Sequence, residues 1–177
     1  MKKLFLVVAV VLVAAISGNA QNNKWNLGVG GGLALPTGDA SDFFKAGFNG
    51  FVNGTYNFTP KFAAGVELNY MSFSGKKVDP IFSSFGYADV NISAFLLKGV
   101  YTFTEEGIRP YVSLSAGMYS SKSDVAEAEA SNKFGYAAGV GAKFNKVNIG
   151  LEYHMAGSED GSSFDLFQIN VGYTFTF

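Results

Sequence analysis

Large apolar side chains fall on every second position through most of the chain, in phases that hold for about ten residues at a time. The clearest run is Phe167 to Phe177: Phe167, Ile169, Val171, Tyr173, Phe175 and Phe177 alternate with Gln168, Asn170, Gly172, Thr174 and Thr176. Successive side chains of a strand point to opposite faces, so this period predicts strand and not helix. The same rhythm marks Trp25–Leu35, Phe48–Phe58, Phe62–Tyr70, Val112–Met118, Phe134–Phe144 and Val147–Met155. A further segment, Asp89–Phe103, breaks step: Phe95, Leu97, Tyr101 and Phe103 hold the odd phase, whereas Val90 and Ile92 hold the even one. A β-bulge near Ala94–Leu96 is the expected reconciliation, since one extra residue exchanges the two faces.

The eight predicted strands are joined by connections that alternate in length. Thr59–Lys61, Thr104–Arg109 and Asn145–Lys146 are short; Pro36–Ala46, Ser74–Gly86, Ser120–Asn132 and Ala156–Asp165 are longer and polar. An even number of strands with short turns on one side and long loops on the other is the layout of an outer-membrane barrel. The phase opposite the large apolar residues favours this over a soluble sandwich. It holds Gly, Ala, Ser, Asn and a few charges, including Gly28, Gly30, Gly32, Gly135, Gly139 and Gly141, which suits a narrow polar interior. Eight strands enclose a space that side chains alone can fill. A closed sheet also pairs every backbone N–H and C=O, as hydrocarbon demands.

Aromatic residues are 16% of the chain and gather at the predicted strand ends. Trp25, Tyr56, Phe58, Phe62, Tyr101, Phe103, Phe144, Tyr173, Phe175 and Phe177 lie beside the short turns; Tyr70, Phe73, Tyr87, Tyr119, Phe134 and Tyr153 lie toward the long loops. Two such girdles around an aliphatic band are what anchoring at headgroup level requires.

The beginning of the chain sets the compartment. Met1-Lys-Lys3 precedes the uncharged apolar run Leu4–Ile16, and Ser17-Gly-Asn-Ala20 supplies small residues for cleavage. The run is short of the roughly 20 apolar residues of a spanning helix and has the flanks of an export signal. The reading is therefore a signal peptide over 1–20 and a single barrel domain over 21–177. Removing Lys2 and Lys3 from the 13 basic residues leaves 11 against 14 acidic ones, no footprint for nucleic acid. With no cysteine, burial and backbone pairing must hold the exported fold together without disulfides.

On its strand rhythm, the strand Arg109-Pro-Tyr-Val-Ser-Leu-Ser-Ala-Gly-Met-Tyr119 and the ending Val171-Gly-Tyr-Thr-Phe-Thr-Phe177, the whole mature chain resembles the small OmpA/OmpX-like outer-membrane β-barrels of the porin family. The resemblance implies an eight-stranded antiparallel up-and-down barrel in the cell outer membrane of a Gram-negative envelope, surrounded by lipid and lipopolysaccharide. It implies too that Tyr173, Phe175 and Phe177 serve as the terminal signal read by the outer-membrane assembly machinery.

Few residues carry candidate chemistry. Glu67, Lys98, Lys143 and Glu152, with the single histidine, His154, occupy the inward phase. Glu67, Lys98 and Glu152 each sit about six residues from a short turn, so they are expected at one level, with Lys143 nearer the periplasm. Charges in a tight interior require partners, and an ion-pair network is expected. His154 raises a lipid A-modifying enzyme as a distant reading. A serine nucleophile needs its base within hydrogen-bond reach, however, and Ser158 is expected in a mobile loop. No catalytic, cofactor or metal site is therefore assigned. The long-loop side is acidic: Asp39, Asp42, Asp79, Asp89, Asp124, Glu127, Glu129, Glu159, Asp160 and Asp165 outnumber Lys45, Lys76, Lys77, Lys122 and Lys133. A non-enzymatic monomer with a structural or adhesive role, meeting a surface ligand through those loops, is the leading expectation. A narrow pore for small solutes is the alternative.

Overall fold

The computed structural model describes residues 24–76, 89–123, 131–159 and 162–177. The expected signal segment and its cleavage site lie outside the described residues, as do Lys77, Asp79, Tyr87, Asp124, Glu127, Glu129 and Asp160.

Eight strands form one closed antiparallel barrel in sequence order: β1 (Trp25–Pro36), β2 (Gly47–Asn57), β3 (Phe62–Phe73), β4 (Val90–Thr102), β5 (Ile108–Ser123), β6 (Ser131–Phe144), β7 (Val147–Glu159) and β8 (Ser162–Thr176). A single helical turn, α1 (Ala40–Phe43), interrupts the first long connection. Among the described residues no helix is long and apolar enough to cross a membrane, which does not bear on crossing by strands. The seam joins β1 to β8 from Asn26↔Thr176 to Pro36↔Leu166. Below it, the Trp25 N–H donates to the Phe177 carbonyl at 3.2 Å and the Phe177 N–H donates to the Trp25 carbonyl at 2.8 Å. No strand edge is left unpaired, so the backbone needs no water within the barrel wall.

The alternation turns outward as expected. Leu97, Leu114, Val140, Ile149 and Val171 are among the large apolar residues exposed on the outer face. At the short-turn end the aromatics touch in sequence: the ring centroids of Trp25 and Tyr56 lie 5.0 Å apart, Tyr56 and Phe58 5.1 Å, Tyr101 and Phe103 5.4 Å, and Tyr173 and Phe175 4.8 Å. At the other end Phe134 stacks edge-on against Tyr136 at 5.2 Å, and Tyr153 lies 4.8 Å from Phe167.

Three expectations need correction. First, β4 carries no bulge, for its register with β3 and β5 runs unbroken from Val90 to Tyr101. Val90, Ile92, Ala94 and Leu96 share the inward phase with Lys98, because the half of the lumen nearer the long loops is apolar. The irregularity lies instead in the β7–β8 ladder, between Ala156 and Ser158. Second, Phe73 and Tyr119 are not girdle residues. Exposed by only 1% and 2%, they fill that apolar half. Third, Ala156–Asp165 is not a loop. β7 and β8 stay paired to Glu159↔Ser162, so Ser158 belongs to a strand. The third long connection shortens in the same way, with β5 reaching Ser123 and β6 starting at Ser131.

Candidate functional site

The lumen is built in three layers. The middle one is polar and centres on Lys98, which β4 delivers from the interior face. Its Nζ lies 2.7 Å from Glu67 Oε2 on β3 and 2.6 Å from Glu152 Oε1 on β7. Glu67 and Lys98 are diagonal neighbours on adjacent strands, whereas Glu152 reaches across the lumen. All three are buried. Asn53 donates to Glu67 Oε2 at 3.2 Å and Ser113 to Glu152 Oε1 at 3.3 Å, so the carboxylates are held by neutral groups as well as by the ammonium. Such support is needed, because an ion pair taken from water repays its desolvation only with good geometry and further hydrogen bonds.

His154, fully buried, continues the chain. Its Nε2 lies 3.5 Å from Glu152 Oε2 and its Nδ1 lies 2.9 Å from the Tyr119 hydroxyl. A lone pair on Nε2 would face a carboxylate, so the proton belongs on Nε2 and Nδ1 accepts from Tyr119. Glu67, Lys98 and Glu152 meet at one level, and His154 links Glu152 to Tyr119 of the layer nearer the long loops.

Lys143 does not join them. It sits nearer the short turns, half-buried, with its Nζ 5.4 Å from the centre of the Tyr111 ring. Tyr111 lies flat over the interior at Gly141 and Gly150, where a Cβ would come within 2.5 Å of its phenol. Tyr111, Lys143 and Glu152 line one narrow space beneath Lys98.

A second polar cluster was not anticipated. Gln168 on β8 gathers Asn49 from β2, Asn69 from β3 and Asn170 from its own strand. Its Oε1 accepts from Asn49 at 3.1 Å, Asn69 at 3.0 Å and Asn170 at 3.2 Å, and Asn49 also donates to Asn170 Oδ1 at 2.7 Å. The alternation marks each of these as inward, but only the barrel's closure brings residues about a hundred positions apart into contact.

The layer toward the long loops is a hydrophobic stopper. Ala34, Met71, Phe73, Ile92, Ala94, Leu96, Tyr119, Ala156 and Leu166 form one buried cluster, with Phe44, Val90 and Phe164 packed against it. Phe164 lies 5.3 Å from Phe73 and 5.5 Å from Phe44, which caps the barrel from the first long connection. Side chains from β1, β3, β4, β5, β7 and β8 meet there, directly above the ion pairs. The remaining layer, at the short-turn mouth, is open and polar. Among the described residues no group of His, Asp or Glu is arranged to hold a metal ion.

A closed, eight-stranded up-and-down barrel with an apolar exterior, aromatic girdles and a filled polar lumen is an integral outer-membrane protein. The chain belongs to the family defined by the outer membrane protein beta-barrel domain, whose model matches residues 6–175. That membership and fold place it in an outer membrane. Neisserial surface protein A has a similar structure, with a TM-score of 0.64 at 13% identity, over 86% of this chain and 97% of that one. So do the N-terminal β-barrel domain of OprF from Pseudomonas aeruginosa (0.51, 17%, 86% and 98%) and the attachment invasion locus protein Ail of Yersinia pestis (0.50, 17%, 86% and 98%). At these identities the likeness is one of fold. No curated protein sequence matches the chain.

Proposed function

We propose that the protein is a non-enzymatic surface barrel with a structural or adhesive role, meeting the outside through its long connections. The observation that carries this reading is the double closure of the lumen, an ion-pair and amide layer under a stopper of buried apolar side chains. A solute path would have to strip Lys98 of its carboxylates and then cross Leu96, Met71, Phe73 and Leu166. The same closure argues against catalysis at His154. Its imidazole has no exposed atom, and its nearest hydroxyl, that of Tyr119, is buried with it.

A solved complex of Ail contains the heparin analogue sucrose octasulfate. The long-loop side of this chain has the opposite bias, acidic residues outnumbering lysines, and would repel a polysulfate at moderate ionic strength. A basic partner surface, or one bridged by divalent cations, fits better. Cells displaying the barrel are expected to attach to a cationic (polylysine-type) surface more than cells displaying a form with residues 36–46 and 124–130 replaced by short Gly-Ser turns. Equal attachment would remove the adhesive reading, and a changed mass of lipid A in expressing cells would reinstate the enzyme.

A further inference from the structure

The open layer at the short-turn mouth has no part in closing the lumen, and its chemistry is distinct. A basin of about 550 Å³ is walled by hydrogen-bonding side chains, among them Asn26, Asn57, Thr102 and Thr174. Four cations line it, Lys61, Arg109, Lys143 and Lys146, against a single carboxylate, Glu105. Among the described residues the salt bridges all belong to the layer above, so none of the four is neutralised by a carboxylate within 4.0 Å. The volume falls in the ordinary range for a small-molecule site, about 300–1,000 Å³.

Arg109 and Lys143 are not loose tethers on a rim. Asn145, at φ 52° in the left-handed region, turns its carbonyl toward β5, and Arg109 Nη2 donates to it at 2.8 Å. This fixes the guanidinium beside the β6–β7 turn that also carries Lys146. The Lys61 turn is pinned by Thr59 Oγ1, which accepts the N–H groups of Lys61 at 3.3 Å and Phe62 at 2.9 Å. Lys143 forms the inner wall, its ammonium held near the face of Tyr111. Beyond it the lumen narrows to a space of about 50 Å³ beneath Lys98 and Glu152, sharing Asn26, Lys143 and Thr174 with the basin. An occupant therefore meets Lys143 and stops.

We propose that this basin binds a small oligoanion bearing at least two phosphate or carboxylate groups, taken from the periplasmic side. A concave mouth with low-dielectric walls focuses the field of its cations, and a guanidinium fork beside ammonium groups matches the paired oxygens of such groups. The chemistry is shared by two sources, a soluble periplasmic anion and the headgroup of an anionic lipid in the inner leaflet.

Titration calorimetry of the folded full barrel in neutral maltoside detergent, with tripolyphosphate as probe, tests this. Saturable binding at one site per barrel is expected. Lys143→Met should weaken it by about tenfold or more. Lys61→Gln with Lys146→Gln, on exposed turns where folding is not at stake, should weaken it severalfold, and this pair carries the test should the Lys143 variant not fold. Lys133→Gln, at the opposite end of the barrel, should leave it unchanged. Absence of saturable binding, or an equal loss from Lys133→Gln, would overturn the proposal. Short-chain phosphatidylglycerol supplies the second arm. Competition with tripolyphosphate assigns the site to a lipid headgroup, and failure to compete assigns it to a soluble anion.

Discussion

Lys98 is the residue on which the interior turns. One ammonium serves two carboxylates at 2.7 and 2.6 Å, in a layer where water is scarce. Removing it leaves Glu67 and Glu152 facing each other with only Asn53, Ser113 and His154 as support. Breaking a buried pair from one side typically costs about 3–5 kcal/mol, whereas replacing all its charges with neutral groups of similar shape is often close to harmless. Lys98→Met is therefore expected to lower the urea midpoint of the folded barrel in detergent strongly. Lys98→Met combined with Glu67→Gln and Glu152→Gln should recover most of the loss. A single variant as stable as the parent would contradict the account of this layer. The common height expected of Glu67, Lys98 and Glu152 was legible in the sequence, because distance from a short turn measures height in a barrel whose turns lie at one end; His154 was legible only as inward-facing. Lys143 was expected nearer the short turns; what it meets there was not legible, because the wall an inward side chain faces depends on the register between β5, β6 and β7. The amide cluster around Gln168 was invisible for a related reason: alternation says that an asparagine points inward, but not which wall it faces.

At the scale of elements, the strands could be read from their period while their ends could not. β4 misled because the inward-polar rule fails where the lumen is filled with apolar side chains; Val90 and Ile92 then imitate a change of phase. The tips of β7 and β8 misled in the opposite sense. Glu159, Ser162 and Ser163 have loop composition, yet they extend the ladder beyond the apolar band, where backbone pairing no longer needs a greasy face. β8 is the element whose role the sequence stated best. Its odd side chains face the acyl region, its even ones supply Leu166, Gln168 and Asn170 to the lumen, and Phe177, just past its end, exchanges two hydrogen bonds with Trp25. Tyr173, Phe175 and Phe177 are proposed as the stretch read by the assembly machinery. Phe177→Ser is accordingly expected to lower the amount of barrel recovered from outer membranes several times more than Phe134→Ser, at the other end of the wall. Equal levels of the two variants would speak against that role.

The whole molecule is polarised from end to end. An open, cation-lined basin lies at the short-turn end, a charged and amide-rich layer crosses the middle, and apolar side chains close the end beneath acidic connections. This order explains how so small a barrel stays closed without a separate plug domain among its described residues. If the proposed closure holds, membrane insertion and conduction are separate properties, and the barrel is expected to have the first without the second. Planar-bilayer recording of the refolded protein tests this most directly. Insertion with no stable conductance steps is expected, for the parent and for Glu152→Ala alike, since the apolar stopper remains intact in both. Stable, size-selective channels in the parent that change on Glu152→Ala would contradict it.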